Sequence, residues 1–311
     1  MKKEFLTGLI AAPFTPMDQE GFLNLDPIQS YADLLMNSGV SGAFICGTTG
    51  EGASLSLEEK KAVIDKWVDS SGGKLKIIAH VGGLCQSESA ELAEHASKSG
   101  ADAVAAMAPF FFKPSSAEDL LQFLKPIAAA ASGLPFYYYH IPSMTGVNIP
   151  VHKILSKAVV TIPSFAGVKY THSDMMDLQQ SIEISNGRFE LFFGSDEILM
   201  CGLSFGLNSA VGSTYNYMAP IYTELMTAFH NEDIQKAREQ QLFSVRVVEI
   251  LNAHGGPIRA GKTIMEFLGV DCGPCRLPLR NLSKDEKESL RNELTEVGFF
   301  ERIHSDVMKS Q

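Results

Sequence analysis

The sequence has no run of basic residues and no long apolar segment, and these absences exclude several functions. Its 311 residues include 26 Lys and Arg against 36 Asp and Glu, a formal net charge of −10 at pH 7. A nucleic-acid or anionic-membrane surface needs clustered positive charge, so neither partner is expected. The longest apolar run, Ala103 to Phe112, falls far short of the ~20 residues that span a bilayer.

The cysteines suggest no disulfide framework, which favours reduced thiols and a cytoplasmic location. They are Cys46, Cys85, Cys201, Cys272 and Cys275. Met1-Lys-Lys precedes an apolar stretch over residues 5–14 that resembles a signal peptide. Glu4 and Pro13 interrupt that pattern, so we expect a first strand there instead.

Cys272-Gly-Pro-Cys275 matches the spacing of a redox dithiol. No strand pattern precedes it, and Pro278 prevents a helix from starting directly after it. We therefore predict a loop without a catalytic thiol. The histidines form no HExxH pattern and no close pair, so a metal site and a metal-dependent aldolase are not expected.

Eight short apolar stretches alternate with helical patterns over the first two thirds of the chain. Their starts lie roughly 20–34 residues apart, the size of one βα unit. Eight such units predict an α/β fold, a parallel (β/α)8 TIM barrel. The predicted strands are Leu9–Thr15, Gly42–Gly47, Lys76–Gly82, Ala103–Pro109, Pro135–Ile141, Phe165–Thr171, Phe189–Ser195 and Ser209–Thr214.

Capping signals at the starts of the predicted helices support this alternation of strands and helices. Ser56 with Glu59 and Ser115 with Glu118 each have the spacing of a capping box. After the eighth strand the pattern is purely helical. We assign residues 1–218 to the barrel strands and most barrel helices. Residues 219–311 are assigned to the last barrel helix and a C-terminal helical appendage packed on the barrel.

Lys169 lies in the apolar stretch Phe165–Thr171, which reads as a buried strand. Burial disfavours the ammonium form, so the pKa would fall from its usual ~10.4. A neutral amine is the nucleophile that forms Schiff bases with carbonyl compounds. The alternative is a lysine at a strand end that reaches solvent or pairs with a carboxylate.

Two further stretches belong to strand ends, where barrel enzymes place their chemistry. The loop Gly47-Thr48-Thr49-Gly50 offers hydroxyls and free N–H groups that suit a carboxylate or phosphate. Its threonines would alternatively satisfy their own backbone. Tyr139 shares a strand face with Tyr137 and is expected near Lys169, where a phenol can pass a proton. The alternative is that these tyrosines only fill the barrel.

Polar clusters follow strands seven and eight. Carboxylates and hydroxyls are therefore expected at the carboxyl-end opening of the barrel, in Gly194-Ser-Asp196-Glu197 and Gly212-Ser213. Such a group of side chains suits a polyol ligand. Asp196 and Glu197 would alternatively cap and charge the next helix.

The motifs GTTGE, YYYHIP, GVKYT, GSDE and GSTYN, in this order, resemble the N-acetylneuraminate lyase branch of the dihydrodipicolinate synthase superfamily. The resemblance implies a pyruvate Schiff base on Lys169, with Tyr139 as proton shuttle. It implies that Thr48 and Thr49 bind the pyruvate carboxylate. The residues it places against the sugar are Thr171, Gly194, Asp196, Glu197 and Ser213.

The resemblance further implies a homotetramer without a cofactor, which cleaves sialic acid reversibly to pyruvate and N-acetylmannosamine. Two features depart from the family pattern. Phe110–Phe112 has no hydroxyl where many relatives carry a tyrosine for an inter-subunit relay. Ser143 follows Pro142 in a segment that lacks the arginine of the synthases, which argues against their amino-aldehyde substrate. The alternatives are another pyruvate-dependent aldolase or dehydratase, acting on dihydrodipicolinate precursors or another sugar acid, and a non-catalytic carboxylate-binding barrel.

Overall fold

Eight parallel strands form a closed barrel in chain order, with the eighth strand paired to the first. The computed structural model describes residues 6–307, so residues 1–5 of the signal-like segment lie outside it. The predicted α/β fold, a (β/α)8 barrel, is confirmed. The strands are β1 Gly8–Ala11, β2 Gly42–Ile45, β3 Lys76–His80, β4 Ala103–Met107, β5 Phe136–His140, β6 Phe165–Tyr170, β7 Glu190–Phe193 and β8 Ser209–Gly212.

All eight predicted strands are present, and each ends earlier than predicted. The first strand was expected to reach Thr15 but ends at Ala11. Pro13 has no backbone N–H to donate to a neighbouring strand, so the ladder cannot continue through it. The residues beyond each strand end form the loops at the carboxyl end of the barrel.

Thirteen α-helices are present within residues 6–307. They are α1 Ile28–Asn37, α2 Leu57–Ser71, α3 Gln86–Ser99, α4 Ala117–Ala130, α5 Pro142–Thr145, α6 Val151–Thr161, α7 Met175–Ser185, α8 Leu199–Ser204, α9 Tyr215–His230, α10 Ile234–Ala253, α11 Pro257–Phe267, α12 Lys284–Glu296 and α13 Phe299–Val307. The described part of the chain contains no helix with both the length and the apolar character needed to cross a membrane.

The capping box of Ser56 and Glu59 is confirmed at the start of α2. The box predicted for Ser115 is wrong by one residue. The cap of α4 is Ser116, whose hydroxyl accepts the backbone N–H of Asp119 at 3.1 Å. Ser116 has the extended backbone that an N-cap requires, and Ser115 instead donates its hydroxyl to the Asp119 carboxylate at 2.8 Å.

The barrel interior and the layer between strands and helices form separate apolar clusters. Tyr137 and Tyr139 point into the barrel, whereas Tyr138 packs in the outer layer with the helices. The alternation predicted for this strand is therefore confirmed. Other interior side chains include Ile10, Phe44, Ile78, Ala105, Phe192 and Val211.

The C-terminal region is helical, as predicted. Its helix α12 ends at Glu296. Gly298 has a positive φ of 75°, which turns the chain into α13. The α9 helix starts at Tyr215 and has a kink at Met218, at the predicted boundary of residues 1–218. The division of the chain at that boundary stays a prediction.

Candidate active site

Lys169 lies near the carboxyl end of β6, directly opposite Tyr139 of β5 in the strand register. Its exposed fraction is only 4%. The amine nitrogen lies 4.2 Å from the ring centroid of Tyr139 and 4.3 Å from that of Phe44. The amine is thus held between two aromatic rings and is largely removed from water.

Burial lowers the pKa of Lys169 to about 7, and the Asp196 carboxylate opposes that shift. Desolvation dominates because the ammonium loses its hydration inside the barrel. Contacts with the two ring faces favour the cation only modestly. A substantial fraction of Lys169 is therefore a neutral amine near pH 7, as a Schiff-base nucleophile must be.

Tyr139 connects the lysine with the loop after β2. Its hydroxyl lies 3.3 Å from the hydroxyl of Thr48, within hydrogen-bond distance. Burial raises the pKa of Tyr139 to about 12, so the phenol keeps its proton at neutral pH. Thr49 follows in the same loop and is half-buried. The Tyr139 ring, the Lys169 amine and the Thr48 hydroxyl thus form one contiguous group.

Asp196 is buried in the turn after β7, with 5% exposure. Its Oδ2 accepts the backbone N–H of Thr214 at 2.8 Å and the Thr214 hydroxyl at 2.7 Å. A Cβ on Gly212 would lie 1.9 Å from Oδ1, so the carboxylate fits only because that residue is glycine. Burial raises the pKa of Asp196, and the Thr214 hydrogen bonds offset part of that shift.

The remaining predicted residues lie along the ends of β6, β7 and β8. A Cβ on Gly194 would come within 2.0 Å of the Thr171 hydroxyl oxygen, so the missing side chain lets these two residues approach closely. Ser213 is half-buried and Glu197 is exposed. Within residues 6–307, no hydrogen bond joins the side chains of Thr49, Glu197 or Ser213 to Lys169 or Tyr139.

The Cys272–Cys275 segment lies in a loop, as predicted, and Arg276, which follows it, contacts the loop after β2. Glu51 of that loop forms a buried ion pair with Lys262 of α11 at 2.7 Å. Glu51 also accepts the backbone N–H of Arg276 at 2.8 Å. Burial raises the pKa of the Cys272 thiol to about 12 and that of Cys275 to about 11, which makes both thiols poor nucleophiles at neutral pH.

Sequence reasoning missed three residues at this site: Phe44, Thr214 and His80. Phe44 covers the lysine amine, and Thr214 holds Asp196. His80 is buried at the end of β3, its ring 5.7 Å from that of Tyr139. Counting inward positions along β2 and β3 gives the only signal that could have found Phe44 and His80.

These features define a (β/α)8-barrel protein with a readily neutralised lysine at the carboxyl ends of its strands. In residues 6–307, no three His, Cys, Asp or Glu side chains are grouped so as to hold a metal ion. Residues 5–297 match the model of the dihydrodipicolinate synthetase family. The chain belongs to this family.

Relatives named as lyases match nearly the whole chain. The N-acetylneuraminate lyase of Sus scrofa is 41% identical over 296 residues, covering 94% of this chain and 93% of that protein. The N-acetylneuraminate lyase structure from Aliivibrio salmonicida has a TM-score of 0.93 at 39% identity, covering 96% of this chain and 98% of that one. The Proteus mirabilis N-acetylneuraminate lyase structure has a TM-score of 0.92 at 39% identity, covering 94% and 99%.

Proposed function

We propose that this protein is a carbon–carbon lyase that forms a Schiff base and cleaves N-acetylneuraminate, a sialic acid, reversibly to pyruvate and N-acetylmannosamine. The observation that carries the proposal is the buried Lys169 amine, with a pKa of about 7, beside Tyr139. The full-length similarity to N-acetylneuraminate lyases supports the choice of substrate.

In the cleavage direction, the neutral Lys169 amine attacks C2 of the open-chain sugar acid, and loss of water gives an imine. Thr48 and Thr49 bind the carboxylate next to C2. The Tyr139–Thr48 hydroxyl pair takes the proton of the C4 hydroxyl as the C3–C4 bond breaks, and the electron pair of that bond forms an enamine on Lys169. The same pair then returns a proton to C3, which regenerates the imine, and hydrolysis of the imine releases pyruvate.

The sugar portion occupies the side of the mouth formed by β6, β7 and β8. Hydroxyls of the open chain bind to the polar groups there, which are Thr171, Gly194, Asp196, Glu197 and Ser213. The reaction needs no metal and no cofactor, because the protonated imine itself accepts the electron pair. We further propose a cytoplasmic homotetramer, as the family resemblance implies.

Trapping with pyruvate and borohydride tests the proposal. Reduction should leave one pyruvyl group on the peptide that contains Lys169, as read by mass spectrometry. Lys169→Ala should abolish both labelling and sialic acid cleavage, whereas the matched control Lys74→Ala, at an exposed lysine, should change neither. Tyr139→Phe should keep the fold and slow turnover about 10²–10⁴-fold, the usual contribution of a positioned proton-transfer group.

The outcomes separate the alternatives. Labelling of Lys169 without cleavage of any sialic acid would indicate another pyruvate-dependent aldolase or dehydratase. Labelling at a different lysine, or full activity in Lys169→Ala, would remove the mechanism and leave a carboxylate-binding barrel as the better description.

A further inference from the structure

The carboxylate of Asp196 is held from outside the barrel, through side chains of α9 and α10. Thr214, between β8 and α9, donates its backbone N–H and its hydroxyl hydrogen to Oδ2 of Asp196. The Thr214 hydroxyl oxygen in turn lies 2.8 Å from the phenol oxygen of Tyr222. Within residues 6–307, no other residue donates a hydrogen bond to Oδ1. One carboxylate oxygen is therefore occupied by the protein, and the other has no protein donor.

The direction of these hydrogen bonds follows from the number of hydrogens present. A hydroxyl carries one hydrogen, and an ionised carboxylate only accepts. Since the Thr214 hydrogen points to Asp196, Tyr222 must donate to the Thr214 oxygen. Tyr222 is completely buried, and burial raises the pKa of its phenol, so the donated hydrogen is present at neutral pH. Tyr222 thereby keeps the Thr214 hydroxyl turned toward Asp196.

Gln241 of α10 holds the backbone of the same turn. Its side-chain nitrogen donates to the carbonyl oxygen of Asp196 at 3.2 Å and to the Ser244 hydroxyl at 2.8 Å. Its side-chain oxygen accepts the backbone N–H of Met200 at 2.9 Å, in the first turn of α8. Such first-turn N–H groups have no partner within their own helix. Gln241 therefore uses both ends of its amide to fix the segment between β7 and α8.

We propose that Tyr222 and Gln241 are positioning residues for Asp196 and determine how tightly the sugar portion of the substrate binds. Tyr222 orients the carboxylate through Thr214, so that Oδ1 is the oxygen that accepts a sugar hydroxyl. Gln241 fixes the backbone from which the carboxylate projects. The inference rests on the proposed function, because that function assigns Asp196 to the sugar.

The position of Asp196 matters for the sugar and not for the imine. A hydrogen bond weakens steeply when its angle falls below ~120°, so a carboxylate that rotates loses a hydroxyl it was placed to bind. Within residues 6–307, no hydrogen bond joins Asp196 to Lys169 or Tyr139. A small displacement of the carboxylate should therefore weaken sugar binding and leave the capture of pyruvate unchanged.

Tyr222→Phe tests the hydroxyl of Tyr222, since the ring remains and only the hydrogen accepted by Thr214 is lost. The kcat/KM for N-acetylneuraminate cleavage should fall about 3–10-fold, within the range of one hydrogen bond, and the loss should appear mainly in KM. Borohydride trapping of pyruvate on Lys169 should proceed at the wild-type rate. Tyr215→Phe is the matched control. The Tyr215 ring packs against Tyr222 with centroids 4.8 Å apart, but its hydroxyl has no hydrogen-bond partner within residues 6–307, so its removal should change neither measurement.

Further variants separate positioning from packing. Thr214→Val removes the hydroxyl between Tyr222 and Asp196, so adding Tyr222→Phe to it should cause no further loss of kcat/KM. Thr214→Ser retains a hydroxyl and should stay near the wild-type value. Gln241→Met keeps the length of the side chain without its amide and should also raise KM without slowing pyruvate trapping. Gln235→Met, at an exposed position of α10, is its control. Gln241→Met keeps the proposal testable if Tyr222→Phe does not fold.

Wild-type kcat/KM in a folded Tyr222→Phe would overturn the role of Tyr222, and wild-type kcat/KM in Gln241→Met would overturn that of Gln241. Equal loss of cleavage and trapping would overturn the proposal too, because the residues would then only support the fold. Additive losses in the Thr214→Val and Tyr222→Phe pair would show that Tyr222 does not act through Thr214. Failure of the wild-type protein to be labelled at Lys169, or to cleave N-acetylneuraminate, would instead contradict the proposed function itself.

Discussion

Replacing Asp196 by asparagine should change the pH at which Lys169 becomes reactive. The Asp196 carboxylate favours the ammonium form and so raises the pKa of Lys169, against the larger lowering caused by burial. An uncharged asparagine of nearly the same shape removes the attraction and leaves the desolvation. The pKa of Lys169 should therefore fall further below about 7 in Asp196→Asn.

The expected change in the pKa of Lys169 follows from the opposing contributions of burial and of the Asp196 carboxylate. A pKa lowered from 10.5 to about 7 corresponds to roughly 5 kcal/mol against the charged form. At pH 7 this leaves about half of the amine neutral, compared with roughly one molecule in three thousand for an unperturbed lysine. A single nearby carboxylate shifts a pKa by about one unit or more, so the reactive fraction in Asp196→Asn should reach its plateau at a pH about one unit lower.

The rate of cyanoborohydride trapping of pyruvate, measured between about pH 5 and 9, reports this pKa. The wild-type rate should rise to a plateau with a midpoint near 7. Glu197→Gln is the matched control, since Glu197 is the exposed carboxylate next in sequence and should leave the midpoint unchanged. A midpoint near that of free lysine in the wild-type protein, or an unchanged or higher midpoint in Asp196→Asn, would refute the reasoning.

Three further predictions concern other parts of the site. Asp196→Ala should impair cleavage of N-acetylneuraminate far more than pyruvate trapping, because the carboxylate is proposed to bind the sugar; equal losses would make its role structural. Cys272→Ser combined with Cys275→Ser should leave the cleavage rate nearly unchanged, and a large loss in a folded protein would contradict the non-catalytic assignment. Glu51→Gln leaves the buried Lys262 ammonium without its carboxylate and should lower the free energy of unfolding in urea by about 3–5 kcal/mol. An unchanged midpoint of urea unfolding would show that the ion pair does not contribute to the stability of the fold.

The strands of the barrel could be predicted because buried parallel strands leave short apolar stretches in the sequence. The pairing of Tyr139 with Lys169 could be anticipated only in part. Alternation places both side chains inside the barrel, but their register depends on an irregularity. Phe136 pairs with Phe165 while Tyr137 pairs with Gly167, so one residue of β6 is skipped. Nothing in the local sequence marks that skipped residue.

Contacts between distant parts of the chain were beyond prediction for the same reason. In the sequence Glu51 is only the last residue of the GTTGE motif, and its partner Lys262 lies in a helix that no sequence pattern distinguishes from the rest of the appendage. His80 gave no spacing signal at all, because a single histidine in an apolar strand has many uses. What makes it distinctive is a buried Nε2 that has no hydrogen-bond partner within residues 6–307, which only the packed barrel reveals.

The ion pair between Glu51 and Lys262 has a consequence for the order in which the protein matures during synthesis. The loop carrying Thr48 leaves the ribosome early, but its partners on α11 and at Arg276 are made more than two hundred residues later. At 5–20 residues per second that delay is about 10–40 s. A nascent chain can thus expose Lys169 while the opposite loop still lacks its support. The nascent chain should therefore bind pyruvate covalently only after Lys262 and Arg276 have been synthesised. Emergence of Lys169 from the ribosome should not be sufficient.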